Sequence, residues 1–450
     1  MVTPSLGAKL TAEFLGTFLL VFTVGCNVLT GNAQWGGVSI ACVLMVAIYS
    51  LGGISGANFN PAVSIALGIS KAMGGPGMDF KTVGMYCGVQ IAAGITAALC
   101  YSALFWDTFN LSPADGFGLL HASLCETLYT FMLCFVVLNV AVAKNNLPNQ
   151  FFGLAIGFVI VAGAFGAGAV SGGCFNPAVA IGIDTSSAGL GFGWCIVYFV
   201  AEVIGAALAA VLFRVVRPED FGKEKSAITE IISEFLGTFM LVLTVGLNVL
   251  GKSPAGAFSI AASLMSMIFA LGNVSGAHFN PAVTAAIMMS KRCEDLTPAK
   301  GASFMGAQFA GGSLAALLFT VIHKGANFSL TPGPSFTWAA VFDAELFFTF
   351  VLCYIVLCVA VSKATKAETM FGFAIGSCVT AGGNAVGAVS GGALNPAVAL
   401  GIACGSQFRT GIVPFVVYIV AEFIGSAIAA VVFRQTHAVD TAEDLKMPEA

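Results

Sequence analysis

Apolar residues gather along this chain in long runs, broken by short polar stretches. The runs fall near residues 8–30, 36–54, 82–106, 120–142, 150–168 and 190–214, and again near 228–250, 255–274, 301–322, 337–361, 370–389 and 411–434. At ~1.5 Å of rise per residue, about twenty residues cross a ~30 Å hydrocarbon core, so the pattern predicts twelve membrane spans. Four further apolar runs are only about ten residues long, enough to reach half way across. Each opens with the same tripeptide: Asn60-Pro61-Ala62, Asn176-Pro177-Ala178, Asn280-Pro281-Ala282 and Asn395-Pro396-Ala397. Asn is a preferred helix N-cap and Pro suits the first helical position, so each tripeptide predicts the start of a half-helix at membrane depth.

The chain repeats itself. AEFLGTFLLVFTVGCNVLTG at 12–31 returns as SEFLGTFMLVLTVGLNVLGK at 233–252, and the first and third Asn-Pro-Ala copies are 220 residues apart. A weaker symmetry lies within each repeat. Glu-x-x-x-Thr-Phe begins at Glu13, Glu126, Glu234 and Glu345, and each copy precedes an Asn-Pro-Ala by 46 to 50 residues. Related halves of this kind usually carry inverted topology, with the functional site at their interface. The expected organisation is a first module over 1–214, a polar linker over 215–226, a second module over 227–434, and an acidic tail over 435–450 that reads as disordered.

Composition fixes the surroundings. The chain is 58% hydrophobic and 9% charged, where a soluble domain carries roughly 25% charged residues, so it reads as an integral membrane protein. A net charge of −4 gives no sign of nucleic-acid binding. Met1–Lys9 runs directly into an apolar segment, and no cleavable signal peptide stands out. With the amino terminus in the cytoplasm, 15 of the 18 basic residues fall on cytoplasmic segments, which places both termini and the linker there. The thirteen Cys residues are scattered singly, without metal spacing, and read as free thiols. Two sequons, at Asn110 and Asn327, occupy equivalent outer loops, and Pro113 makes the first a poor acceptor.

Two half-helices entering from opposite faces would meet with their N-termini together, each carrying about half a positive elementary charge. If the Asn carbonyl oxygen caps its own helix, the side-chain NH₂ is free to face a lumen, where a neutral solute can turn its oxygen toward it. Cations and protons meet a positive field there. The intramembrane Glu13, Glu126, Glu234 and Glu345 fit as acceptors for the unpaired N–H groups of the re-entrant loops. Glu202 and Glu422 are also intramembrane, and the sequence gives them no role.

These residues resemble the major intrinsic protein family, the aquaporins and aquaglyceroporins. The matching features are the AEFLGTF opening, two SGxxxNPAV loops per repeat, and the Gln90 and Gln308 segments GVQIAAG and GAQFAGG. The resemblance covers essentially the whole chain, twice over. It implies an all-α integral membrane fold of two aquaporin-like modules, each with six transmembrane helices and two re-entrant half-helices. It also implies passive permeation with no catalytic residue and no cofactor, and assembly in fours, hence a homodimer of this chain forming a four-pore pseudo-tetramer. One departure stands out. The Arg that most members place directly after the second Asn-Pro-Ala is Val179 in the first repeat and Val398 in the second. The other filter positions carry over to Ile40, Ala164 and Gly173, and to Ile260, Gly383 and Gly392. A filter of small and aliphatic residues is wide and weakly polar, suited to small uncharged solutes (glycerol, urea, ammonia, hydrogen peroxide) with water. Cys174 lies close to the expected pore, and His278 stands where the first repeat has Asn58. The alternative is a twelve-span secondary transporter, which also uses inverted repeats and broken helices.

Overall fold

The computed structural model describes residues 4–438. Among them are sixteen α-helices and no strand. The first repeat comprises α1 (Leu6–Leu29), α2 (Gly36–Ser55), α3 (Pro61–Ala72), α4 (Phe80–Phe105), α5 (Leu119–Val137), α6 (Phe152–Ser171), α7 (Pro177–Ser186) and α8 (Trp194–Val216). The second comprises α9 (Ala227–Leu250), α10 (Gly256–Ser275), α11 (Pro281–Ser290), α12 (Pro298–Ile322), α13 (Trp338–Val356), α14 (Phe371–Ser390), α15 (Pro396–Gly405) and α16 (Val413–Thr436). Twelve are long and apolar enough to span a bilayer. The remaining four, α3, α7, α11 and α15, are the 10- to 12-residue stubs that follow the Asn-Pro-Ala tripeptides. The protein is an integral multi-pass membrane protein.

Local sequence explains where the spans stop. The Ser-Gly pair before each Asn-Pro-Ala closes the preceding span, and its glycine is left-handed: Gly56 (φ 94°), Gly172 (φ 82°), Gly276 (φ 91°) and Gly391 (φ 86°). A left-handed C-terminal glycine turns the chain without a Cβ penalty. Two features escape the apolar pattern. The fourth span of each repeat ends in a π-helical turn, over Leu138–Val142 and Leu357–Val361. The polar linker is also not simply solvated, because Arg217 is fully buried and Pro218–Phe221 forms a 3₁₀ turn. At the far end α16 carries the chain to Thr436, so the first residues of the expected disordered tail are helical. The tail from Val439 lies outside the described residues.

The structure forms two compact units. One holds the chain up to Thr229 together with Leu247–Asn273, the other Glu230–Gly246 together with the chain from Val274. In the first unit, α4 crosses the stub α7 at backbone contact. A Cβ on Gly94 would lie 2.3 Å from the Ala178 oxygen, which is why small residues meet there. In the same unit α10 packs on α6. Ser259 Oγ donates to Ala162 O at 3.0 Å, Ser266 Oγ to Ala155 O at 2.9 Å, and the Phe151 and Phe269 rings stack 4.4 Å apart. Arg217 closes this contact, donating to Asn139 Oδ1 (2.9 Å), Ala270 O (2.8 Å) and Asn273 Oδ1 (2.6 Å). In the second unit, Gly312 and Gly401 repeat the close crossing between α12 and α15.

Candidate functional site: paired half-helices

Each Asn-Pro-Ala begins its half-helix as the residue types require. Asn Oδ1 accepts the backbone N–H two residues on: Asn60 from Ala62 (2.8 Å), Asn176 from Ala178 (3.0 Å), Asn280 from Ala282 (2.8 Å) and Asn395 from Ala397 (2.9 Å). Pro fills the first helical position, where no N–H is needed.

The stubs of one repeat meet tip to tip through these asparagines. Asn60 Nδ2 donates to Phe175 O at 2.8 Å, and Asn176 Nδ2 to Phe59 O at 3.0 Å. The second unit repeats the exchange, Asn280 Nδ2 to Leu394 O at 2.8 Å and Asn395 Nδ2 to Phe279 O at 2.9 Å. The residue before each Asn turns its carbonyl across by adopting a left-handed conformation, with φ between 50° and 54° at Phe59, Phe175, Phe279 and Leu394. An L-residue reaches that region only at some cost in strain, here offset by the cross-bond. The expectation of a free side-chain NH₂ is thus only half met. One of the amide's two N–H groups holds the opposite loop, and one remains.

Beneath each tip sits a fully buried glutamate. Glu13 accepts from Ser55 Oγ (2.6 Å), Asn58 N (3.0 Å), Phe59 N (2.8 Å) and Gln90 Nε2 (2.8 Å). Glu126 takes Ser171 Oγ (2.6 Å), Cys174 N (3.1 Å) and Phe175 N (2.7 Å). Glu234 repeats the first set with Ser275 Oγ, His278 N, Phe279 N and Gln308 Nε2 at 2.6–3.0 Å. Glu345 takes Ala393 N (3.1 Å) and Leu394 N (2.8 Å). Re-entrant backbone at membrane depth must find such partners. The serine of each Ser-Gly pair and the glutamine donors belong to this network, and the sequence reading assigned them no role in it. The serines carry a signal in the sequence, each five residues before its Asn, while the glutamines recur only after the first Asn-Pro-Ala of each repeat.

A cavity of about 330 Å³ runs past the first pair of tips. Asn60, Asn176 and Cys174 line it, with all four residues of the first expected filter: Ile40, Ala164, Gly173 and Val179. Gly173 approaches Ala164 so closely that a Cβ on Gly173 would lie 3.4 Å from the Ala164 Cα. In the second unit Gly392 approaches Gly383 in the same way, at 3.3 Å, and Val398 sits in the first turn of α15. Ile260 lies on α10, within the first unit. His278 pairs with Thr284 Oγ1 at 3.1 Å and lines a separate cavity of about 650 Å³ with Lys291, Arg292, Lys300 and Lys363. Asn58 takes the matching place in the first repeat, donating to Ser64 Oγ at 3.0 Å. The thirteen cysteines are free thiols, and among the described residues no His, Cys, Asp or Glu group is arranged to hold a metal.

The profile of the family described as Major intrinsic protein matches residues 1–213 and, a second time, 222–433. The putative aquaporin NIP4-1 of Arabidopsis thaliana is 33% identical over 224 residues, covering 47% of this chain and 75% of the relative. The glycerol uptake facilitator protein-like 6 of Lactiplantibacillus plantarum is 34% identical over 219 residues, covering 47% of this chain and 99% of the relative. A solved structure, that of the aquaglyceroporin from Plasmodium falciparum, aligns over 46% of this chain and 96% of its own, at 23% identity and a TM-score of 0.39. Such relatives are channels for water and small solutes, not enzymes, and the doubled profile match accounts for the doubled Asn-Pro-Ala pair: the chain belongs to the major intrinsic protein family.

Proposed function

We propose that each repeat holds its own pore, formed where its two half-helices meet, and that both pass water and small uncharged solutes such as glycerol, urea, ammonia and hydrogen peroxide. The observation that carries this is the cavity in which Asn60 and Asn176 share a lining with Ile40, Ala164, Gly173 and Val179. That lining holds no Arg, and its filter residues are small or aliphatic. A passing solute meets one remaining N–H from each Asn amide and two helix N-termini, each worth about half a positive charge. Cations lose their water there without compensation. Valine in place of arginine widens the constriction and removes a strong donor, favouring solutes with C–H surface over water alone. The name of one relative, a glycerol uptake facilitator protein, supports glycerol among them.

The same reading sets both termini in the cytoplasm and makes the modules 1–214 and 227–434, joined by the linker 215–226. It also makes the working particle a homodimer. Helix α10 is mostly buried and packs on α6, while only 28% of the apolar stretch of their counterparts α2 and α14 is buried. Two chains would pair these less buried helices and close a ring of four modules. The deciding experiment is stopped-flow swelling and shrinking of proteoliposomes with water, glycerol, urea and ammonia gradients. Solute flux that rises linearly with the solute's own gradient and is indifferent to a proton gradient is expected. Uptake that saturates and stops when the proton gradient collapses would instead mark a carrier.

A further inference from the structure

In the first half of each repeat a glutamine completes the network beneath the half-helix. Gln90 Nε2 donates to Glu13 Oε2 and Gln308 Nε2 to Glu234 Oε2, both at 2.8 Å. The second halves place a different residue there. Tyr86 stands four residues before Gln90 and donates to Ser55 O at 2.8 Å, while Tyr198 stands four residues before Glu202 and donates to Ser171 O at 2.6 Å. Tyr418, four residues before Glu422, donates to Ser390 O in the same manner. Glu202 and Glu422 therefore occupy, on α8 and α16, the place that Gln90 holds on α4. An amide that donates has become a carboxyl.

Both carboxyls are fully buried. Glu422 Oε1 accepts the Asn395 N–H at 2.8 Å, so it holds the pore asparagine itself. Its Oε2 meets no donor, and its carboxyl is within hydrogen-bonding reach of Glu345. Glu202 interacts electrostatically with Glu126, and its nearest donors, the Asn176 N–H and the Cys174 thiol, fall outside hydrogen-bond geometry. Ionised carboxylates only accept, so two of them cannot bond each other. An interior this dry does not hold two adjacent negative charges without a counter-ion. The other titratable side chains around the pairs are Cys125, Cys134, Cys174 and Tyr198 in the first repeat, and Cys353 and Tyr418 in the second, with no basic group among them. A single proton satisfies each pair. It gives Glu126 and Glu345 the donor that Gln90 gives Glu13.

We propose that Glu202 and Glu422 are proton-binding sites, each held as a neutral carboxylic acid that donates to Glu126 or Glu345 and thereby locks the second half-helix of its repeat. They are positioning residues, acting on the pore through Glu126, Glu345 and the Asn395 N–H. The closing experiment uses the full chain in proteoliposomes. Glu202→Gln with Glu422→Gln supplies the donor permanently, and should keep permeability within about twofold of the parent and flatten its decline at alkaline pH. Glu202→Leu with Glu422→Leu removes the donor and should lose permeability several-fold. Infrared spectra at neutral pH provide a readout independent of any transport. The parent should show the carbonyl stretch of a protonated carboxylic acid, and the double Gln variant should lack it. If the Leu variant fails to fold, the Gln variant and the spectra decide. A band that survives in the Gln variant, no such band in the parent, or a Gln variant as impaired as the Leu variant, would overturn the proposal.

Discussion

The side-chain amide of Asn60 donates to the backbone carbonyl of Phe175 at 2.8 Å, joining points 115 residues apart in the chain. The bond is returned, from Asn176 to Phe59, so the two half-helices of the repeat hold each other. Each asparagine caps its own helix with its oxygen and the facing loop with its nitrogen, and both are nearly buried.

Asn60→Ala removes a cap, worth about 1 kcal/mol, and leaves the Phe175 carbonyl buried without its donor, a further cost of about 1–3 kcal/mol. The purified variant is expected to unfold at a lower temperature in detergent and to lose much of the first repeat's flux. Asn60→Asp keeps the cap but buries a charge, and should be worse. An Asn60→Ala chain as stable and as permeable as the parent would contradict the paired-tip description.

Val179→Arg with Val398→Arg introduces the charged donor that the family resemblance expects directly after the second Asn-Pro-Ala. Glycerol and urea uptake in proteoliposomes should fall by an order of magnitude or so while water flow is largely kept, since water is small enough to pass a narrow polar filter. Undiminished solute flux would remove these positions from the constriction.

Cys174 lines the first cavity, and Ala393 stands at its place in the second repeat. Its Sγ lies 3.3 Å from the Asn176 carbonyl. Mercurials should therefore block only part of the water permeability, leaving the share of the second pore, and Cys174→Ser should abolish the block. Complete inhibition, or partial inhibition that survives the serine, would place the reactive thiol elsewhere.

Asp220, in the linker, accepts from Lys144 N at 3.1 Å through Oδ1, while its Oδ2 is buried without a donor. Burial pushes this carboxyl above its ordinary value of 3.8, against the opposing pull of the Lys144 amide and Arg217. The folded value is the higher one, so the folded chain binds the proton more tightly, and stability rises as pH falls through that value toward the unfolded one. Asp220→Asn should accordingly stabilise the protein at neutral pH by on the order of 1 kcal/mol. The advantage should shrink as pH is lowered. A variant that gains equally at acid pH would show that the carboxyl is not the cause.

Cross-linking in membranes, or mass measurement of the detergent-purified particle, should find two chains. Helices α2 and α14 are far less buried than their counterparts α10 and α6, which pack on each other. A particle of one chain, or of four, would exclude that closure.

Much of this was legible in the chain because membrane physics leaves few choices. Run length fixes the spans, and Asn-Pro after a Ser-Gly pair fixes each re-entrant start. The recurrence of Glu13, Glu126, Glu234 and Glu345 at near-constant distance marks them as partners of the loops. What stayed hidden depends on three-dimensional neighbours. The cross-bond from Asn60 to Phe175 uses a backbone oxygen, which carries no residue signature. Arg217 reads as one charge in a polar linker, yet it is buried because Asn139, Ala270 and Asn273 converge on it. The π-helical turns at Leu138–Val142 and Leu357–Val361 leave no mark on an apolar pattern.

The burial of α10 against α6 has a bearing on supply. Because both repeats are translated as one polypeptide, a cell cannot make one pair of half-helices without the other. The pair beside Asn58 and Cys174 and the pair beside His278 and Ala393 arrive at a membrane in equal number, whatever the rates of synthesis or turnover. Any difference in what the two let through is then set as a constant ratio by the gene itself, and regulation can change their total but not their mixture.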